Sequence, residues 1–356
     1  MPNVLLCLSH AIEEAQQLQL LHELGYGVVS IGGYIDPGHP HDDKRPALPQ
    51  IPVVPEIKAA VDALGTNDNL GNAQSLIPDA ALDWLGDDGI IIYHHHLHRL
   101  FGQWSRIRDW MDGSSRRRVI WRSVGQSVES NESEARPFRE DGLERVAYSP
   151  REANIPGYTG HDALIRFWGD PDEYTGWTGE DPRVLNIAQH HDTAHGRDEW
   201  LNWAFWEEVT KPLPRVFAGT HSELIGGLGQ VSYDDMKALL RSSRAYLYTG
   251  TQPASYTLGL IEALMTGIPA VSIGPAHMRI FSYGHLLFEG HELASARTPD
   301  WHWQPWSDNP DEARDMVSSL LASLSYAQEQ SKVQRARAIE LFGKAEIGRQ
   351  WKAYLG

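Results

Sequence analysis

The sequence predicts an α/β protein made of two Rossmann-like domains, each with a parallel sheet between helices. The chain opens on an apolar run at Asn3–Leu8 and closes its first unit on another at Val28–Gly33. Between them Ile12, Ala15, Leu18, Leu21 and Leu24 recur at helical spacing. A second strand, loop, helix and strand lie at 245–273, as AYLYT, a polar turn, LGLIEALM and AVSI. Parallel strands need a crossover, and a helix is the usual one, so each unit implies a parallel sheet. At 356 residues the chain has room for two domains of ordinary size.

The remaining elements follow in order. Residues 34–56 are rich in Pro, His and Asp and read as an irregular loop. Helices are expected at Ile57–Leu64 and Ala80–Leu85, with turns across 65–79. Asp87–Phe101 is a strand running into a histidine cluster, and Leu97–Met111 reads as one helix. Val119–Ser127 is a strand and loop, 128–142 an exposed helix or loop, and Arg145–Glu152 a strand running on to Ser149. Gly169, Asp170 and Asp172 mark a turn, which places the boundary between domains 1–168 and 169–334.

The second half begins with a strand at Arg183–Gln189, the loop HHDTAHGRDEW and a helix at Glu199–Val209. A strand at Pro214–Thr220 ends at Gly219. The next helix has Met236, Leu239 and Leu240 on its apolar side and Asp234 and Asp235 as N-terminal charges. After AVSI, residues 274–309 read as loops and short elements carrying Trp301, Trp303 and Trp306. Pro310–Leu324 is a helix with proline in its first turn, and Ala327–Leu355 a last helical segment.

Formal net charge is -16, which argues against a general nucleic-acid binder, because phosphate neutralisation needs clustered Lys and Arg. The one basic cluster, Arg116–Arg118, reads as a solvated turn. No run of about 18 apolar residues suggests a membrane span. The N-terminus lacks the basic region of a signal peptide, and the single Cys7 permits no internal disulfide. Both features lead to the expectation of a cytoplasmic protein. No G-x-G-x-x-G follows the first strand, so a dinucleotide fingerprint is absent there.

Two stretches carry chemistry. Residues 250–257 are polar and turn-prone, and the helix after them offers free backbone amides that suit a phosphate. Glu262 lies one turn into that helix, placed to accept hydrogen bonds from sugar or ribose hydroxyls. His94, His95, His96 and His98 stand at a strand's carboxyl end, where open α/β sheets put their sites. Adjacent histidines on an extended chain face opposite ways, and no Cys or HExxH spacing accompanies them, so no metal site is expected.

Gln252–Ile273 resembles the donor-site signature of the retaining nucleotide-sugar glycosyltransferases of family four, which have the GT-B fold. Glu262, Ala263, Leu264, Gly267, Pro269 and Val271 stand on that pattern; its first acidic position falls on Ala254 and its usual glycine on Thr257. The resemblance implies two Rossmann-like domains facing a central cleft, with 335–356 crossing back to the first. It implies transfer of a sugar from a UDP- or GDP-sugar to a hydroxyl, with retention and without metal or other cofactor. Glu262 would hold the ribose. The backbone of Tyr256, Thr257, Leu258 and Gly259, with Arg197, would face the diphosphate. Ser255, Gln252 or Tyr256 would orient the sugar, and the loop at Val231, beside Gly219, would cradle the base.

His190 and His195 fall where the family has Arg and Lys, and Arg197 lies close by. A neutral histidine stabilises a diphosphate less than a permanent cation does. His94 and His95 match a histidine close to the transferred sugar and acceptor. Two other readings remain: a phage-type enzyme glycosylating modified DNA bases, and a non-catalytic GT-B protein that binds sugar or nucleotide. The helix Ala11–Leu24 carries Glu13 and Glu14 but no Lys or Arg, which favours a soluble acceptor.

Overall fold

The computed structural model describes residues 1–7, 10–39, 45–64, 76–93, 97–124, 129–189, 191, 201–250, 256–274, 279–282, 285–289 and 306–356. The first half is built from β1 (Asn3–Cys7), α1 (Ala11–Glu23), β2 (Gly27–Ser30), α2 (Pro55–Ala63), α3 (Asp79–Leu85) and β3 (Ile90–Tyr93). It continues through α4 (Leu97–Phe101), α5 (Trp104–Asp112), β4 (Arg118–Arg122), α6 (Glu129–Glu140), β5 (Glu144–Ala147) and β6 (Ala163–Leu164). The six strands form one parallel sheet in the order β2-β1-β3-β4-β5-β6. Every residue of IIIY in β3 is buried, the continuous apolar pattern of a parallel strand covered on both faces.

The second half contains β7 (Asp181–Ile187), α7 (Trp203–Thr210), β8 (Arg215–Ala218), α8 (Tyr233–Ser242), β9 (Ser243–Tyr248), α9 (Leu258–Thr266) and β10 (Ala270–Ile273). An antiparallel hairpin of β11 (Arg279–Ser282) and β12 (His285–Glu289) follows, then β13 (Trp306–Ser307). Its parallel sheet has the order β13-β10-β9-β7-β8. In each sheet the order reverses once, between β1 and β3 and between β7 and β9. Open α/β sheets bind ligands outside the carboxyl ends of strands at such a reversal.

Three helices end the chain: α10 (Pro310–Ala322), α11 (Leu324–Phe342) and α12 (Lys344–Leu355). Gln334 of α11 clips the start of β10, accepting from the Ala270 amide (2.8 Å) and donating to its carbonyl (3.1 Å). α12 belongs to the other core, where Ile347, Trp351 and Leu355 pack with Val4, Leu6, Leu20 and Ile120. The turn between them is stitched to residue 169: Gly169 N donates to Phe342 O (2.9 Å) and Lys344 N to Gly169 O (3.1 Å). A Cβ at Gly169 would lie 2.9 Å from both Ile261 and Met265, so a side chain here would push into α9.

Some sequence expectations change. Leu97–Met111 is two helices, because Gln103 leaves the helical path at Gly102. Its side chain accepts from Ile77 N (2.9 Å) and donates to Arg99 O (3.2 Å). The 128–142 stretch is not simply exposed. Glu132 of α6 is fully buried against Arg145 (2.6 Å), which also holds Glu152 (2.7 Å), a pairing over long range that no local pattern shows. Residues 163–164, to which the sequence reading gave no element, supply the sixth strand. Ala327–Leu355 is broken at Gly343, an extended residue where the chain passes from one core to the other.

Candidate functional site

The site is organised by α9. Thr257 caps its start, the side-chain oxygen accepting from Leu260 N (3.4 Å), and Gly267 ends it in the left-handed region at φ 100°. Eight of its nine residues are buried, Glu262 among them, so this is an internal helix in which only Gly259 is half-buried. A Cβ on Gly259, in the first turn, would meet nothing nearer than 3.9 Å. One neighbour is Ile187 O, the last carbonyl of β7. The first turn of α9 thus stands over the β7/β9 reversal, with its early amides facing the carboxyl edge of the sheet.

Glu262 lies one turn deeper and is 3% exposed. Arg45, from the first half of the chain, makes an ion pair with it, and Tyr174 OH contacts the same carboxylate oxygen at 2.9 Å. Arg45 Nη1 lies 3.4 Å from Tyr174 OH, and its guanidinium stacks 5.0 Å from the Tyr233 ring. The two phenols touch at 2.8 Å, and Tyr233 OH donates to Glu173 (2.7 Å). Lys237 Nζ also lies 4.2 Å from the centre of the Tyr233 ring and 3.6 Å from Glu173. Burial opposes the charge on Arg45, but Glu262 and the two tyrosines outweigh it and raise its pKa. Burial next to Glu262 also raises Tyr174, which stays a neutral phenol.

Tyr256 does not point at this cluster. Its hydroxyl donates to Tyr148 O (2.7 Å) and accepts from Phe167 N (3.4 Å), while its ring packs on Phe167 and Phe342. Its side chain therefore ties β9's exit loop to the first half of the chain, leaving only its backbone for the loop. Gly219 closes the end of β8 by close approach. A Cβ would fall 1.5 Å from Ala188 O, at φ 137°. The chain then folds back so that Gly219 N donates to Gly229 O (2.9 Å), which delivers Val231 half-exposed just before the Ser232 cap of α8.

His94, His95, His190, His195, Arg197 and Ser255, together with Gln252 and Ala254, lie outside the described residues. The strands leading to them are described. β3 ends at Tyr93 beside β1's Cys7, and β7 ends at Ile187, both at sheet reversals. Sequence reading missed Arg45, Tyr174 and Tyr233. Lys44 and Arg45 are the two basic residues in 34–56, and that isolated charge pair was the available sign. Tyr174 stood two residues past the turn read at Gly169, Asp170 and Asp172. Among the described residues no group of three His, Cys, Asp or Glu is arranged to hold a metal ion, and no helix is long and apolar enough to cross a membrane.

The arrangement of two parallel sheets is similar to that of solved glycosyltransferases. One from Rickettsia africae matches with a TM-score of 0.62 at 12% identity, over 99% of this chain and 98% of that one. An alpha-glucosyltransferase solved with UDP-glucose and DNA containing an abasic site matches with a TM-score of 0.54 at 10% identity, over 99% of both chains. S. aureus TarM, solved with UDP, matches 78% of this chain with a TM-score of 0.52 at 14% identity. This chain spans 58% of TarM's length. No protein-family model matches the sequence, and no curated protein is significantly similar to it. At these identities the likeness is one of fold, and the fold is GT-B.

Proposed function

We propose that this protein transfers a sugar from a nucleoside diphosphate sugar, with uridine as the favoured base, to an acceptor hydroxyl. The observation that carries this is the seat at the second sheet's reversal: the capped N-terminus of α9 with a buried carboxylate one turn below. Amides at a helix start stabilise the charge that develops on a leaving diphosphate, and do so without reorganising during the reaction. Glu262 takes the ribose hydroxyls, and the Gly219–Val231 loop takes the base. His190, His195 and Arg197 flank the phosphates, and Ser255 or Gln252 orients the sugar. His94 and His95 follow β3 toward the acceptor. Retention of configuration and independence of metal rest on the resemblance at Gln252–Ile273. On this reading residues 1–168 form the acceptor side, 169–334 the donor side, and 335–356 return to the first.

Thermal denaturation with UDP and GDP tests this, because a ligand that binds the native state raises stability by mass action. The midpoint is expected to rise with UDP concentration, and UDP-sugars to be hydrolysed slowly without acceptor. Binding of UDP without turnover of any UDP-sugar would leave a non-catalytic binding protein. No shift with any nucleoside diphosphate would end the reading. The role of Glu262 is tested by ribose discrimination. Wild type is expected to bind 2′-deoxy-UDP about ten-fold more weakly than UDP, roughly 1.4 kcal/mol, and Glu262→Gln to lose that difference.

The whole-chain likeness to an alpha-glucosyltransferase solved with DNA favours a second acceptor class, modified bases in DNA. The net charge of -16 weighs against it. Transfer from UDP-glucose to duplex carrying hydroxyl-bearing modified bases, falling steeply between 50 and 200 mM salt as roughly expected for phosphate contacts, would establish it.

A further inference from the structure

The Arg45–Glu262 cluster is unevenly supplied with hydrogen-bond partners, and the imbalance points to what binds there. Three oxygen contacts, Tyr174–Glu262, Tyr174–Tyr233 and Tyr233–Glu173, share only the two phenolic protons. With both protons given to carboxylates, the contact between the two phenols has none, and the network is short of one donor. The cationic side is short of one acceptor, since Arg45 Nε is buried and has no hydrogen-bond partner among the described residues. A ligand that brings hydroxyl donors and an anion together supplies both. A neutral ligand does not, because hydroxyls that displace Arg45 from Glu262 would strand a buried guanidinium, which is strongly unfavourable.

We propose that Arg45, carried by the first half of the chain, is a donor-binding cation that exchanges Glu262 for the nucleotide's diphosphate. This rests on the donor-site reading above and assigns a permanent charge in addition to Arg197, where His190 and His195 provide none. The exchange is short. Glu262 lies about one helical turn, roughly 5.4 Å, below the first-turn amides of α9, within the reach of an arginine side chain. As ribose hydroxyls take the carboxylate, the guanidinium moves toward the helix start and meets the phosphates there. Arginine suits this step because its planar fork stays charged and pairs bidentately with phosphate oxygens. Binding then links the two halves of the chain through the ligand.

Calorimetry on the full chain with UDP and with uridine tests the exchange. Wild type is expected to bind UDP at least 100-fold more tightly than uridine. Arg45→Met should reduce that preference ten-fold or more through weaker UDP binding, and Arg45→Lys should recover part of it. Because Arg45→Met leaves Glu262 buried without its cation, the same comparison is made between Glu262→Gln and Glu262→Gln/Arg45→Met, where no carboxylate is stranded. Equal UDP-to-uridine ratios in those two proteins would overturn the proposal while wild-type binding kept the donor-site reading intact. Tighter UDP binding by Arg45→Met would also overturn it, showing that Arg45 only competes for Glu262. Absence of UDP and GDP binding by wild type would remove the reading and the proposal together.

Discussion

Tyr256→Phe removes one oxygen atom from the joint between the two halves of the chain. The ring keeps its contacts with Tyr148, Phe167 and Phe342, so apolar burial is unchanged. The Tyr148 carbonyl loses its donor at 2.7 Å and the Phe167 amide its acceptor at 3.4 Å. Leaving a buried polar group unpaired costs about 1–3 kcal/mol. The longer contact contributes little, so the expected destabilisation is about 2 kcal/mol in total. Urea unfolding followed by tryptophan fluorescence, with the slope unchanged and the midpoint lowered, would show it. A change below about 0.3 kcal/mol, half of RT at room temperature, would refute the reasoning: the hydroxyl would not then be holding Tyr148. The same variant should leave the affinity for UDP within about two-fold, because only the backbone of Tyr256 faces the donor loop.

Gly219→Ala forces a Cβ against Ala188 O and is expected to destabilise the β8 exit by about 1–3 kcal/mol, with a matching fall in UDP affinity by calorimetry. Trp351→Ala empties the seat of α12 in the first core and should cost about 3–5 kcal/mol in denaturant unfolding. A third prediction concerns pH. Burial pushes the Glu14 carboxyl from 4.5 up to about 7, against hydrogen bonds from Ser30, Tyr34 and Gly33. The native state therefore holds a proton that the unfolded chain has released. This contribution is complete below pH 4.5 and disappears as pH rises to about 7, at most ~3 kcal/mol. Glu14→Gln should flatten part of the fall in unfolding free energy between pH 5 and 7.5; an unchanged slope would contradict it. Glu13, also raised to about 7 by burial although Arg122 opposes the shift, supplies the remainder.

Much of the fold is written in local pattern. β3 is a continuous apolar run, β1 and β10 are apolar but for Asn3 and Ser272, α1 has helical spacing, and Gly267 with Pro269 ends α9 where the chemistry of those residues requires. The sheet order is not local, since strand neighbours such as β7 and β9 are set by how helices cover the two faces. Breaks such as Gln103 and Gly343 also escape a local reading. Each is fixed by a partner far along the chain, Ile77 for one and Gly169 for the other.

The site divides in the same way. The sequence by itself determined the amide-bearing start of α9 and the position of Glu262 on its next turn, because helix caps and helical spacing depend on residues close together. Only the tertiary structure decided what Glu262 meets. Its cation comes from Arg45, 217 positions away, and its phenol from Tyr174. Burial removes water from all three, so each charge must find a protein partner whatever its distance along the chain. Pairing of that kind is a property of the folded space, and no spacing rule records it.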